Sequence, residues 1–343
     1  MTIDAAYYCG EKNFQLERVE QVDPGDGQVQ IDIAYCGICG TDLHVYLGHM
    51  DARIGNHRVI GHEMSGRIAS MGSGVEGLEI GDAVVVRPLD HCGACPACVA
   101  GHQHICHKLK FLGLDTDGAF QGKWTVPAHT VHKLPDGLSL DHAALVEPMA
   151  VAAHDVRRAR VGEGEDVLVI GGGPIGMLVA LAAREAGANV TISEVNQHRI
   201  AIARDIGFTT LNPTDEDIAE AINSATCNKG ADVVFEVSGT QAGVDLMTQA
   251  AAARGRICMV AIHAKKPEID LFQFFWRELE MLGARVYEPA DYDKAIAMLT
   301  GGIGAERLIT DVQALTEIGD AFKALTENPA SMKTLIRVSE GVA

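Results

Sequence analysis

Val167-Leu168-Val169-Ile170-Gly171-Gly172-Gly173-Pro174-Ile175-Gly176 is an apolar run of four that breaks directly into glycines and reopens as an apolar helix from Ile175 to Ala186. A short β-branched run of this kind is a buried strand, and Gly171, Gly173 and Gly176 form GxGxxG at its end. Glycines in that spacing are common, so the motif alone is weak; the strand before it and the helix after it make it strong. Gly171 is expected to make the tight turn, Gly173 to let the backbone approach a pyrophosphate, and Gly176 to allow close helix-on-strand packing. The helix N-terminus would present N–H groups to the phosphates, with Pro174 and Ile175 beside them as cofactor-binding residues. Glu194 ends the next strand eighteen residues after Gly176 and is suited to accept the ribose hydroxyls. Its charge opposes a 2'-phosphate, which predicts NAD over NADP. Arg199 is the neighbouring group that would serve a 2'-phosphate if Glu194 turned away.

Outward from this motif the pattern alternates. Strand Asn189–Ser193, helix Gln197–Asp205, a short strand near Phe208, strand Asp232–Val237, helix Ala242–Ala253 and strands Arg256–Ala261 and Met281–Val286 are expected. Such alternation predicts an α/β, doubly wound parallel sheet covered on both faces. Toward the N-terminus the character differs: Val29, Ile31, Ile33 and Tyr35 alternate with polar residues, and short strands recur around Ile60–Ser70, Ala83–Val86 and Trp124–Val126. The first ~150 residues are therefore read as a β-rich, loop-rich domain. After Val286 come two helical pieces, Asp291–Leu299 and Thr316–Thr326, and a strand-like run Thr334–Val338. That tail is too short to fold alone and is expected to pack back on the N-terminal domain. The expected domains are residues 1–150 with 287–343, and residues 151–286.

A chain of 343 residues suits two domains. The net charge of −18 is repelled by a nucleic-acid backbone and by an anionic membrane surface. No apolar run is long enough to span a bilayer, and Met1–Tyr8 lacks the features of a signal peptide, so a cytoplasmic location is expected. Nine cysteines are too sparse for a disulfide scaffold, yet seven lie in or before one stretch ending at Cys106. That clustering points to metal.

Cys92, Cys95, Cys98 and Cys106 read CxxCxxC with a fourth cysteine seven residues further on. Four thiolates on one loop close a tetrahedral shell and leave no place for water, the structural type of zinc site. His102, His104 and His107 share the loop and are read as polar surface residues. A second, dispersed constellation joins Cys36-Gly37-Ile38-Cys39-Gly40-Thr41-Asp42, His44, Gly61-His62-Glu63 and Glu147-Pro148. Cys36 and Cys39 have redox-pair spacing, but the β-rich surroundings favour Cys39 as a lone metal ligand and Cys36 as an inward-facing strand residue.

With the GICGTD and GHE motifs, the four-cysteine lobe, the turn at Gly81–Val84, Glu147-Pro148 and the nucleotide-binding half, the chain resembles the zinc-containing medium-chain dehydrogenases over essentially its whole length, in the branch with sorbitol, threonine and butanediol dehydrogenases. The resemblance implies a GroES-like catalytic domain built from both chain ends and a Rossmann domain between. It implies a catalytic zinc held by Cys39 and His62, with Glu63 and Glu147 exchanging or sharing the third position, and Asp42 orienting His62. One thiolate, one imidazole and one carboxylate balance the zinc charge and leave an open position. It further implies that hydride passes from a secondary alcohol to NAD and that the proton leaves through Thr41 and His44, bridged by the nicotinamide ribose.

For the substrate the expectation is a polyol or vicinal diol, in a homo-oligomer, dimer or tetramer. Where relatives carry an aromatic residue this chain has Lys123, and it has Arg285-Val286-Tyr287 where the polyol branch has an Arg-Tyr pair. Lys123 or Arg285 meeting a carboxylate would instead mark a threonine or acidic-sugar dehydrogenase. A zinc-free quinone reductase lacks the Cys39 and His62 pair, and a catalytically silent zinc and nucleotide binder has no need of Thr41 and His44.

Overall fold

The computed structural model describes residues 2–328 and 330–342. By its internal contacts the chain divides into two compact units. One takes the chain up to Glu147, Glu288–Gly302 and the segment from Ile309 on; the other takes Pro148–Tyr287 and Ile303–Leu308.

The first unit is built on strand Gln28–Gly37, whose alternation buries Val29, Ile31 and Ile33 completely. It is the central strand of a seven-stranded sheet, between Glu63–Met71 and Lys333–Arg337, with Lys123–Pro127 also paired to it. The tail strand runs antiparallel with Leu335 opposite Gly37 and Ile336 opposite Cys36. Continued past Gly37, that register brings Lys333 beside the Cys39 turn, and the Ile38 N–H donates to Thr334 O at 3.0 Å. A three-stranded sheet of Phe14–Glu20, Thr2–Tyr8 and Arg58–Val59 lies in the same unit. Tyr8, Phe120, Phe322 and the inward residues of the central strand share one apolar core.

The second unit holds six parallel strands in the order Thr209–Leu211, Asn189–Ser193, Asp166–Ile170, Ala231–Glu236, Ala251–Met259, Glu280–Gly283. The order reverses between Asp166–Ile170 and Ala231–Glu236, the place where open α/β sheets bind ligands at the carboxyl ends of their strands.

Several elements depart from the pattern read in the sequence. The helix expected to reach Ala253 ends at Ala250, and Ala251 already pairs with Ala231 in a strand that runs to Met259. Alanine favours helix, but pairing with the interior strand Ala231–Glu236 captures the segment, a case of tertiary pairing overriding propensity. The strand expected over Met281–Val286 is Glu280–Gly283, ending before Val286 turns to φ +49°. Strands Thr2–Tyr8 and Phe14–Glu20 and helices Val146–Arg158, Ile218–Ala225 and Leu271–Arg277 had no counterpart in the sequence reading.

Candidate active site and metal centres

In the first unit, strand Gln28–Gly37 ends at a turn whose Cys39 caps helix Gly40–Tyr46. The Cys39 sulfur accepts the Thr41 N–H at 3.4 Å, and the Asp42 carboxylate accepts the Cys39 N–H at 2.9 Å, a reciprocal cap that fixes the turn. His62 and Glu63 come from the start of the neighbouring strand, so sheet pairing delivers them to the same end. One ligand atom each of Cys39, His62 and Glu63 lies within 4.8 Å of the others. Glu147, at the start of helix Val146–Arg158, is buried but stands outside that triplet.

The electrostatics suit a cation. Burial pushes the Cys39 thiol up, and the Glu63 carboxylate adds to the rise. Burial opposes a charged His62, yet Asp42 and Cys39 together outweigh it and raise the imidazole well above its usual value. His62 Nδ1 and Asp42 Oδ1 lie 3.5 Å apart, both fully buried and lacking any other hydrogen-bond partner. A metal ion displaces the protons from sulfur and imidazole and is the natural partner for this set. Cys36, fully buried on its strand, has a thiol pushed well up by burial and is not bonded to Cys39.

A residue that sequence reasoning missed completes the centre. Lys333 has a buried ammonium that pairs with Glu63 Oε2 and donates to Ile38 O at 3.1 Å. Its position near the C-terminus hid it, since only the antiparallel return of the tail reveals it. His44 is exposed, and its Nδ1 lies 3.3 Å from Nδ1 of His49, another residue absent from the reading.

The four-cysteine lobe is compact. Sγ–Sγ separations are 3.5 Å for Cys95 and Cys98, 3.8 Å for Cys95 and Cys106, and 3.5 Å for Cys92 and Cys106. A tetrahedron with zinc–sulfur bonds of about 2.3 Å has edges of about 3.8 Å. Backbone N–H groups of Cys98 and His107 pull the Cys95 thiol down to about 6, whereas burial pushes Cys98 up to about 12. His102 and His104 turn instead toward Glu288, at 4.0 and 3.5 Å.

In the second unit Gly171 has φ +102°, and a Cβ on Gly176 would overlap the Gly171 carbonyl oxygen, so both positions require glycine. Gly173 caps helix Pro174–Glu185, and Arg199 stands over it, 3.4 Å from where a Cβ would be. Glu194 is buried; it accepts N–H bonds from Gly172 at 2.7 Å and from Val195 and Asn196 at 2.8 Å. Arg199 Nη1 lies 3.8 Å from Glu194 Oε2. Glu236, at the end of its strand and fully buried, accepts the Ser238 and Gly239 N–H groups and faces His263 Nε2 at 3.2 Å. Sequence reading overlooked it because a single glutamate at a strand end carries no spacing signal.

Lys123, expected near the substrate, pairs with Asp32, which lies opposite it across two strands. Asp32 is five residues before Gly37, about 16 Å along a strand. Its ammonium is thus committed away from the Cys39 end. Arg285 is exposed and Tyr287 is buried in the second unit.

Residues 25–136 match the alcohol dehydrogenase GroES-like domain and residues 174–301 the zinc-binding dehydrogenase domain. The 2-dehydro-3-deoxy-L-galactonate 5-dehydrogenase of Pseudoalteromonas atlantica is 53% identical over 97% of this chain and 98% of its own. A sorbitol dehydrogenase of Halalkalibacterium halodurans is 33% identical over 94% and 95% of the two chains. Among solved structures, the 2R,3R-butanediol dehydrogenase of Bacillus subtilis is similar with a TM-score of 0.90, at 31% identity, covering 98% of this chain and 99% of that one.

Proposed function

Since the chain belongs to the zinc-type alcohol dehydrogenase family, we propose that it oxidises a secondary hydroxyl of a polyhydroxylated substrate to a ketone with NAD as hydride acceptor. The observation that carries the reaction is the convergence of Cys39, His62 and Glu63 on one buried point. Cys39, His62 and a carboxylate of Glu63 or Glu147 hold the catalytic zinc, and Cys92, Cys95, Cys98 and Cys106 hold a structural one. When bound, the zinc supplies the Lewis acidity that eases loss of the hydroxyl proton, and NAD takes the hydride. Asp42 holds the His62 ring in orientation. Thr41 Oγ1 receives the proton and passes it toward His44, whose exposed imidazole returns it to water. Gly171, Gly173, Pro174, Ile175 and Gly176 cradle the pyrophosphate, and Glu194 reads the adenosine ribose.

Identity of 53% along nearly the full length favours the substrate class of that relative, a 3-deoxy-2-keto sugar acid oxidised at C5. A neutral polyol is the second reading, supported by the sorbitol dehydrogenase at 33%. Steady-state rates with NAD on 2-dehydro-3-deoxy-L-galactonate, sorbitol, 2,3-butanediol, threonine and ethanol test both. Faster turnover of ethanol than of every polyhydroxylated compound would exclude them together.

No helix among the described residues is long and apolar enough to cross a membrane. A cytoplasmic homo-oligomer, dimer or tetramer, fits best. Leu271, Phe272, Phe275 and Trp276, each between 60% and 76% exposed, precede the edge strand Glu280–Gly283, whose outer side pairs with no described strand, a surface suited to a second copy. Sedimentation of Trp276→Asp as a smaller species than the wild type, and recovery of the protein in the soluble cell fraction, are the expected results.

A further inference from the structure

Helix Gly40–Tyr46 ends in a glycine turn that puts two histidines side by side. Gly48, at φ +79°, donates its N–H to Val45 O at 2.8 Å, and His49 donates its own to His44 O at 3.0 Å. These are the paired bonds of a glycine cap at a helix C-terminus, which also brings the side chain that follows the glycine against the one five residues earlier, frequently as an apolar contact. Here both positions are histidine. The run His44-Val45-Tyr46-Leu47-Gly48-His49 therefore encodes the juxtaposition locally. Both imidazoles are exposed, and their Nδ1 atoms lie 3.3 Å apart.

Two imidazole nitrogens bound to one tetrahedral zinc, at about 2.0–2.1 Å each, stand about 3.3 Å from one another. As neutral rings the two Nδ1 atoms share one proton, and a metal ion that displaces it satisfies both lone pairs at once. Asp51 brings charge of the right sign to the same turn: its Oδ2 stands 3.3 Å from where a Cβ on Gly48 would be, while its Oδ1 accepts the Tyr8 hydroxyl at 2.7 Å. We propose that His44 and His49 form a further divalent transition-metal site, completed by water. With only two protein ligands it takes up zinc only when zinc exceeds what the cysteine-containing centres hold. An ion there occupies His44, the residue assigned to proton release, and so slows turnover. The site itself goes beyond the proposed reaction and stands without it; only the effect on turnover rests on the relay through His44.

Calorimetric titration of the full chain with zinc chloride, after dialysis has removed loosely held metal, tests the site without substrate. One equivalent beyond the tightly held zinc should bind the wild type. His49→Gln, a change at an exposed position, should bind that equivalent at least ~10-fold more weakly, since loss even of a group behind a ligand costs about 10–100-fold. His49→Cys returns a zinc ligand and should restore the equivalent, which a merely structural role for His49 gives no reason to expect. Turnover measured across the same zinc concentrations should fall in the wild type and hold steady in His49→Gln. Absence of the further equivalent in the wild type, or equal affinity in His49→Gln, overturns the site. A further equivalent that is lost in His49→Gln yet leaves wild-type turnover unchanged supports the site and overturns the relay through His44.

Discussion

The Gly172 N–H donates to Oε2 of Glu194 at 2.7 Å, tying the glycine turn after one strand to the end of the next. Oε1 is engaged too, by the Val195 and Asn196 N–H groups, so the Glu194 carboxylate is held in place by the backbone, as its proposed part in reading the ribose requires. Oε1 has both its lone-pair directions taken, whereas Oε2 keeps one for a hydroxyl. Arg199 Nη1 lies 3.8 Å from Oε2, so the Glu194 charge offsets that of the one neighbouring cation the sequence reading offered to a 2'-phosphate. NAD should be used in strong preference to NADP. Glu194→Ala removes charged hydrogen bonds and releases Arg199, and should narrow the ratio of kcat/KM values by about tenfold to a hundredfold. Equal use of the two cofactors by the wild type would show that Glu194 does not read the ribose.

The four sulfurs of the cysteine lobe already stand at near-tetrahedral spacing. Zinc binding there contributes directly to folding, so Cys95→Ser should lose one of two zincs and destabilise the protein by on the order of 3 kcal/mol or more. Metal analysis together with a melting curve checks it. Retention of both zincs would remove Cys95 from the shell.

What was legible in the sequence was whatever chemistry dictates at short range. Gly171 at φ +102° and the sub-contact approach of Gly176 to Gly171 are demands of a single turn, and the cysteine lobe is one loop. Lys333 and Glu236 were not legible, because each gains meaning from a partner brought by tertiary structure. Lys333 meets Glu63, 270 residues away in the chain, through the antiparallel register of the tail strand. Lys123 failed for the converse reason: it looked available for a carboxylate until the cross-strand register gave it Asp32. Elements were misplaced where local preference and the sheet disagreed, as at Ala251–Ala253.

His44 stands exposed in the last turn of its helix with His49 3.3 Å away, the place where the proposed relay from Thr41 would reach water. His44→Ala should lower kcat by about 10²-fold, the lower end of what proton relays contribute, because water reaches an exposed position. Zinc content should be unchanged and added imidazole should restore part of the rate. A rate equal to wild type would take His44 out of the relay.

Two glycines of one motif make opposite predictions. Gly40 opens helix Gly40–Tyr46 and has nothing within 4 Å of an added Cβ, so Gly40→Ala gains helix propensity and should leave stability unchanged or raise it by up to about 1 kcal/mol. Gly37, three residues earlier, faces the Glu63–Lys333 pair, and its Cβ would take the place of Glu63 Oε2. The Glu63 side chain must swing aside, leaving Lys333 buried with only the Ile38 carbonyl. Breaking a buried pair in this way costs about 3–5 kcal/mol, which for a unit of this size lowers Tm on the order of 10 °C. Thermal melts of the two alanine variants should therefore separate, with Gly37→Ala melting well below wild type and Gly40→Ala at or above it. Equal melting temperatures for both would mean that the ion pair adjusts without cost and that the glycine at 37 serves something other than the Glu63–Lys333 contact.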